Sequence, residues 1–224
     1  MTTGGEVEEH QELREQVVAL GASLFARGLT AGRTGNLSVR VPGGFLVTPT
    51  GSSLGQLSTD QLSLVDPQGR HLDGPGPSKE AFLHAAVYRA RPQDSAVVHT
   101  HSTHAAAVSC LADVDPHDVL PPLTAYYVMR VGRLPLLPYH APGDRSLEEL
   151  AEWTARTSHA LLLANHGPVV SALDLASAAD AVEELEETAR IHLLLHGQPT
   201  RPLTPEQVAA LRSAQLYGRP RTQS

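Results

Sequence analysis

The chain has 224 residues, 41% of them hydrophobic and 18% charged, a composition that excludes disorder, coiled coil and collagen. Its 17 Lys and Arg against 24 Asp and Glu give a net charge of −7, and with 4% aromatic residues this argues against a nucleic-acid partner. No apolar run suits a transmembrane helix and no secretory signal is visible, so we expect no membrane partner; the single cysteine, Cys110, indicates a reducing compartment, and we predict the cytoplasm.

Apolar periodicity and turn residues divide the chain into helices and strands. In chain order we predict a helix over Glu8–Arg27, strands over Leu37–Val41, Phe45–Thr48, Leu62–Val65 and Arg70–Leu72, a helix over Ser78–Ala90, a strand over Ser95–His101, a helix over Thr103–Leu111, a strand over Leu134–Tyr139, a helix from Ser146, strands over Ala160–Leu163 and Pro168–Ser171, a helix over Asp174–His196 and a last helix capped at Thr204. We find no internal repeat and no long linker. The pattern predicts one α/β domain with a mainly antiparallel sheet, its core at about 8–212 and a polar tail over 213–224.

Two histidines lie two residues apart in Val97–His101, a segment that reads as a buried strand. Because side chains alternate along a strand, His99 and His101 should project from the same face. Two neutral imidazoles a few ångströms apart are half of a divalent-metal site. The alternative is a pair of exposed strand histidines without a ligand.

A third histidine and a carboxylate extend this pattern. His166 follows the apolar run Ala160–Ala164 and should lie on a turn at a strand end, where active-site residues are often held. Glu80 would lie in the first turn of a helix capped by Ser78, although acidic residues are common there without any function. Three histidines and one carboxylate suit zinc or another transition ion, and a carboxylate that leaves the metal can serve as a general acid or base.

Three loops of small residues have the character of a phosphate site. Glycines expose backbone N–H groups, hydroxyls donate hydrogen bonds, and a helix start carries partial positive charge. The three are Thr34–Asn36, Thr50–Ser53 and Ser78 at its helix N-terminus. Each one alone is also compatible with an ordinary turn.

Five motifs in this order resemble the class II aldolase/adducin family over roughly residues 10 to 200. They are Thr34-Gly35-Asn36-Leu37-Ser38, Thr48-Pro49-Thr50-Gly51, Pro77-Ser78-Lys79-Glu80, His99-Thr100-His101 and Asn165-His166-Gly167. The resemblance implies a three-layer αβα fold, a homotetramer with active sites at subunit interfaces, and one divalent metal per subunit. That metal is usually Zn2+, with Mn2+ or Co2+ as alternatives.

The resemblance also implies roles for individual residues. The metal would be held by His99, His101 and His166, and Glu80 would approach the metal and act as the catalytic carboxylate. Substrate phosphate would be bound at Gly35, Asn36, Thr50, Gly51 and Ser78. Tyr126 matches the tyrosine that donates a proton in aldol cleavage, with Tyr127 as the alternate if the register slips by one. The competing interpretation of both tyrosines is core or interface packing.

Within the family the chain resembles the 3-oxo-tetronate 4-phosphate decarboxylases, through Leu29–Asn36, Pro77–Glu80 and Leu120–Tyr127. The implied reaction is metal-dependent decarboxylation of this sugar acid, through an enediolate, to dihydroxyacetone phosphate and CO2. Lys79 stands where fuculose-phosphate aldolases typically have serine; it would either meet the substrate carboxylate or remain a solvated lysine.

Other functions stay open from the sequence. They are aldol cleavage of a phosphorylated ketose such as fuculose 1-phosphate, a phosphosugar dehydratase, a non-enzymatic module like the adducin head, and a metal phosphatase or nuclease. The three histidines and the carboxylate argue against the adducin-like module.

Overall fold

The computed structural model of the protein describes residues 4–218, with side chains described for residues 10–213. The helices within these residues are α1 (Gly4–Ala26), α2 (Ala81–Ala90), α3 (Thr103–Ser109), α4 (Ala125–Arg130), α5 (Glu148–Ala155), α6 (Leu175–Leu194) and α7 (Pro205–Gly218). The strands are β1 (Asn36–Val41), β2 (Gly44–Val47), β3 (Ser63–Val65), β4 (His71–Asp73), β5 (Ala96–His99), β6 (Leu136–Leu137), β7 (Ala160–Leu163) and β8 (Gly167–Ala172). Single 3-10 turns occur at Leu54–Gln56, Thr59–Gln61 and Arg145–Leu147.

The eight strands form one mixed sheet in the order β4-β3-β2-β1-β5-β8-β7-β6. Every neighbouring pair is antiparallel except β6 and β7, which are parallel. The central strand β5 pairs with β1 on one side and β8 on the other, and its last residue, His99, lies opposite Asn36 and Val169. The ends of three strands from distant parts of the sequence therefore meet at one edge of the sheet.

Helices cover both faces of the sheet, as the predicted αβα architecture requires. One apolar core lies between the sheet and α1, α3 and α6, and includes Val17, Leu37 and Val98. A second core lies between the opposite face and α2 and α5, and includes Phe45, Leu83 and Val97. Neighbouring residues of β5 thus enter different cores, because successive side chains point to opposite faces of a strand.

Two elements next to the predicted site differ from the sequence-based expectation. Strand β5 ends at His99, so the prediction of one continuous strand to His101 was wrong. Helix α2 begins at Ala81, and Glu80 rather than Ser78 occupies the position before its first residue. Ser78 instead opens a turn, since its carbonyl accepts from the N–H of Ala81 and its hydroxyl accepts from the N–H of Glu80.

Three further differences lie away from the site. The predicted strand Leu134–Tyr139 is only two residues long, because prolines that lack an N–H flank it. Helix α4 was not predicted; the Thr124 side chain caps it by accepting from the N–H of Tyr127. Helix α7 continues to Gly218, past the predicted start of the tail, and residues 219–224 lie outside the described chain. Within residues 4–218 we find no helix whose length and apolar character would let it span a membrane.

Candidate active site

Three histidine side chains converge at the edge where β5 and β8 meet. The Nε2 atom of His99 lies 3.1 Å from that of His101 and 3.3 Å from that of His166. The Nε2 atoms of His101 and His166 are 2.9 Å apart. His99 is fully buried and the other two are partly exposed, so the cluster opens toward solvent on one side. The convergence agrees with the prediction, although His101 reaches it from beyond the strand rather than by alternation along it.

The backbone around the turn between β7 and β8 fixes this arrangement. His99 lies with its Nδ1 2.8 Å from the carbonyl oxygen of Pro168, which can only accept, so Nδ1 carries the hydrogen and Nε2 presents its lone pair. Gly167 packs directly against the carbonyl of Thr100, and a Cβ at this position would collide with it. The N–H of His166 is held by the hydroxyl of Ser109.

The electrostatic state of the cluster suits a cation. Burial, reinforced by the neighbouring histidines, lowers the pKa of His101 to about 3, and burial together with His99 lowers the pKa of His166 to about 4. Both rings are therefore neutral near pH 7, which is the form that binds metal. Ligand nitrogens around a tetrahedral zinc at normal bond lengths lie about 3.3 Å apart, close to the spacing seen here. The donor set therefore fits a divalent transition ion.

Glu80 lies beside the three histidines. Its Oε2 is 3.4 Å from Nε2 of His99, and its Oε1 is 3.6 Å from Nε2 of His166. The side-chain amide of Asn36 donates to Oε2 at 2.8 Å. Burial raises the pKa of the Glu80 carboxyl, but His99, His166 and the Asn36 hydrogen bond together hold the pKa below its usual value. The carboxylate is thus ionised and directed at the cluster.

A cleft of about 170 Å3 opens next to this carboxylate. All the residues predicted to bind phosphate or carboxylate line it, namely Gly35, Asn36, Thr50, Gly51, Ser78 and Lys79. Glu80, His101 and His166 line it as well. The structure therefore brings the predicted binding loops and most of the predicted metal site into one cavity.

The loops around the cleft are joined by backbone contacts. Ser78 donates its N–H to the carbonyl of Thr48, and Pro49 and Pro77 form an isolated bridge. Gly35 has a φ of 77°, and a Cβ there would lie 2.8 Å from the carbonyl oxygen of His99, so the first loop approaches the metal strand closely. The binding loops and the histidine cluster are therefore directly connected through the backbone.

Sequence reasoning missed one basic residue of this cleft. Arg33 lines it together with Lys79. Among side chains 10–213, neither of these two cations is engaged in a hydrogen bond or ion pair, and the acidic residue lining the cleft is Glu80. The signal was available, because Arg33 directly precedes the predicted phosphate loop Thr34–Asn36.

A buried histidine was also missed. His84 is fully buried on α2, with Nε2 2.6 Å from Oδ1 of Asn36 and Nδ1 2.6 Å from Oγ of Ser38. Burial lowers its pKa to about 3, with a smaller contribution from His99. Its spacing of four residues from Glu80 was the available signal, since such residues share a helix face.

The two tyrosines do not line the cleft within the described part of this chain. Tyr126 lies on α4 with 61% of its surface exposed, and Arg130 stacks over its ring. Tyr127 is 1% exposed in the core beneath the sheet, so it cannot reach a substrate. His104 lies 2.7 Å from a carboxylate oxygen of Glu186.

Comparisons with known proteins identify similar chains. The family model described as the Class II Aldolase and Adducin N-terminal domain matches residues 15–193. A Haemophilus influenzae protein named 3-oxo-tetronate 4-phosphate decarboxylase is 50% identical over 199 residues, which cover 88% of this chain and 95% of that protein. The L-fuculose phosphate aldolase of Escherichia coli is 32% identical over 215 residues, covering 94% and 97% of the two chains. The crystal structure of YgbL from Klebsiella pneumoniae superposes with a TM-score of 0.88 at 47% identity, covering 91% and 99%.

Proposed function

The chain belongs to the class II aldolase and adducin family, and on that premise we propose that it decarboxylates 3-oxo-tetronate 4-phosphate to dihydroxyacetone phosphate and CO2. The observation that carries the proposal is the 50% identity to the Haemophilus influenzae decarboxylase, against 32% to the fuculose phosphate aldolase. The predicted single domain over 1–224 is kept as part of the proposal, and the one continuous sheet supports it.

A divalent ion is part of this proposal, with Zn2+ as the proposed metal and Mn2+ or Co2+ as alternatives. His99, His101 and His166 would hold it, and their converging neutral nitrogens are the supporting observation. When bound, the ion supplies Lewis-acid chemistry that takes up the negative charge developing on the substrate's C3 oxygen as CO2 leaves. The three histidine rings would hold the ion next to the cleft.

Glu80 is the proposed proton donor. Decarboxylation breaks the bond between C1 and C2 and leaves its electron pair on C2, which must then gain a proton to give dihydroxyacetone phosphate. Glu80 is ionised at rest, so it first takes up a proton from water; in the acid form it then delivers that proton to C2 and returns to the carboxylate. Its carboxylate lies at the boundary between the histidines and the cleft, where a substrate C2 held by both would be within reach.

The cleft carries charges that match the substrate. We assign the phosphate to Gly35, Asn36, Thr50, Gly51 and Ser78, with Arg33 next to the first of these loops. We assign the carboxylate to Lys79, the other cleft cation that has no hydrogen bond or ion pair among the described side chains. The phosphate charge is unchanged by the reaction, whereas the carboxylate charge disappears as CO2 leaves. Lys79 therefore contributes to choosing an acid substrate and to orienting it more than to lowering the chemical barrier.

Assembly and location complete the proposal. We propose a homotetramer in which Tyr126 faces the active site of a neighbouring subunit, because this tyrosine is exposed and is not among the residues that line the cleft of its own chain. Departing CO2 needs no proton, so the proposed role of Tyr126 is to position the substrate. The cytoplasm remains the proposed location, supported by the free Cys110.

The second candidate is a class II aldolase that cleaves a phosphorylated ketose such as fuculose 1-phosphate. The similarity to the fuculose phosphate aldolase favours it. The two reactions share a triose-phosphate product, and they differ in the fragment that leaves: CO2 in one case and an aldehyde in the other.

The test measures CO2 release from 3-oxo-tetronate 4-phosphate by metal-loaded and chelator-stripped protein in parallel. The proposal expects metal-dependent CO2 in step with dihydroxyacetone phosphate. Triose phosphate from a ketose phosphate, with no CO2 from the acid, would instead identify an aldolase.

A further inference from the structure

A chain of buried hydrogen bonds runs from Tyr88 to the carboxylate of Glu80. The Tyr88 hydroxyl lies 2.9 Å from Oγ of Ser38, which is 2.6 Å from Nδ1 of His84. Nε2 of His84 is 2.6 Å from Oδ1 of Asn36, whose Nδ2 is 2.8 Å from Oε2 of Glu80. All five residues are buried. We call this set the His84 chain.

The chemistry of the groups fixes the direction of every bond. A carboxylate only accepts, so the Asn36 amide donates to Glu80 and turns its oxygen toward His84. That oxygen also only accepts, so Nε2 of His84 carries the hydrogen. A neutral ring has one hydrogen, so Nδ1 accepts from Ser38. The Ser38 oxygen accepts from Tyr88 at 2.9 Å, and the carbonyl of Ser95 is a second, longer acceptor for the Tyr88 hydroxyl at 3.4 Å. Burial keeps the ring neutral and raises the pKa of Tyr88, which keeps its hydrogen.

We infer that His84 is a positioning residue that acts through Asn36 to hold Glu80 in its working orientation. Without the N–H of His84, the Asn36 amide can turn over and place its oxygen against the carboxylate, which would push Glu80 away from the histidines. When the N–H of His84 is present, the Asn36 amide holds Oε2 of Glu80 by a hydrogen bond, and Oε1 lies beside His166. This inference rests on the proposed role of Glu80 at the metal.

Two substitutions separate the two nitrogens of the ring. In His84→Gln the terminal amide can occupy the place of Nε2 and still donate to Asn36. In His84→Asn the shorter amide can occupy only the place of Nδ1 and loses that donation. Both variants are neutral, polar and smaller than histidine. If His84 only filled space, any loss of Zn2+ affinity or activity would be equal in the two variants, or larger in His84→Asn only as far as its smaller volume lowers its melting temperature.

The first measurement is the Zn2+ dissociation constant of chelator-stripped full-length protein, in the native background and in Glu80→Ala. Groups that orient metal ligands typically change metal affinity about 10-fold or more when removed. We expect His84→Asn to weaken binding by about that factor in the native background and to add nothing in Glu80→Ala, while His84→Gln stays near the native value. Equal weakening by His84→Asn in both backgrounds would overturn the inference.

The second measurement is steady-state decarboxylation at saturating metal. We expect His84→Asn to lower kcat with little change in KM, and His84→Gln to restore kcat. Equal kcat in the two variants, at equal metal content and melting temperature, would contradict the inference. Should His84→Asn fail to fold, Asn36→Ala replaces it. This variant removes the amide through which His84 acts on Glu80, so we expect weaker Zn2+ binding, and native affinity would overturn the inference. If the decarboxylase proposal fails, the comparison of Zn2+ affinities in the native and Glu80→Ala backgrounds still tests the inference, because it needs no substrate.

Discussion

The three metal-facing histidines and the His84 chain lie side by side, but they differ in whether the protein itself supplies partners for their ring nitrogens. In the cluster, three Nε2 atoms face one another at 2.9–3.3 Å, and His99 has its only available hydrogen committed elsewhere. In the His84 chain, every donor meets an acceptor that the protein itself supplies. Satisfied groups hold a side chain in place, whereas converging lone pairs require a cation from outside. The three-histidine cluster is therefore a binding site, and the His84 chain is the structure that supports it.

Removing a member of the cluster should have the largest effect. His166→Ala leaves two nitrogens, so we expect the protein to lose bound metal and all metal-dependent turnover. The matched control is His71→Gln, at an exposed position on the edge strand β4, which should keep both. Metal per subunit, measured after dialysis, and CO2 release decide the matter. A His166→Ala protein that keeps full metal and activity would remove this cluster from the mechanism.

Replacing the carboxylate between the two regions should separate metal binding from chemistry. Glu80→Gln keeps the three histidines, so we expect it to retain metal at saturating concentration. Turnover should fall by roughly 10²–10⁴-fold, because the amide has no proton to deliver to C2. Bound metal and kcat are measured on the same preparation. Full activity in this variant would exclude Glu80 as the proton donor.

Acid should destabilise the protein through the buried ring of the His84 chain. The pKa of His84 is about 3 in the folded state, below its ordinary value near 6.5, so the unfolded chain binds the proton first as pH falls. The contribution of the neutral His84 ring to the free energy of unfolding is complete above about pH 6.5. It is lost as pH drops toward 3, at up to about 1.4 kcal/mol per pH unit.

The measurement is denaturant unfolding of metal-stripped protein between pH 7 and pH 5. His84→Gln lacks the titrating group, so its stability should fall less steeply over this range than that of the native protein. Identical slopes for the two proteins would mean that His84 is not held neutral in the folded state.

The smallest effect is expected at the cleft wall, outside both regions. Lys79→Ser should weaken decarboxylation by about 10-fold through kcat/KM, the scale of one charge-assisted hydrogen bond, and should weaken any aldol cleavage less. The comparison uses the acid substrate and a ketose phosphate with the same variant. Equal losses with both substrates would show that Lys79 does not meet the carboxylate.

Much of the fold could be predicted from local pattern. The strand Ala160–Leu163 has the predicted bounds, and α6 agrees with its prediction to within two residues at either end, because continuous apolar runs and helical periodicity are local signals. Helix α4 could not be found this way, since its six residues are too few to show a period. The start of α2 was misplaced because Ser78, a favourable capping residue, opens a turn in front of the helix instead of capping it.

The residue types of the candidate site could be predicted from the sequence, but the contacts that position them could not. The sequence by itself determined the histidine pair His99 and His101, the turn histidine and the small-residue loops, because each is a short motif with its own chemistry. Only the tertiary structure decided that Asn36 and His99 lie on neighbouring strands, that Tyr127 is buried while Tyr126 is exposed, and that His84 reaches Asn36. Pairing between strands that are about 60 residues apart in sequence depends on the whole sheet, and no local pattern records it.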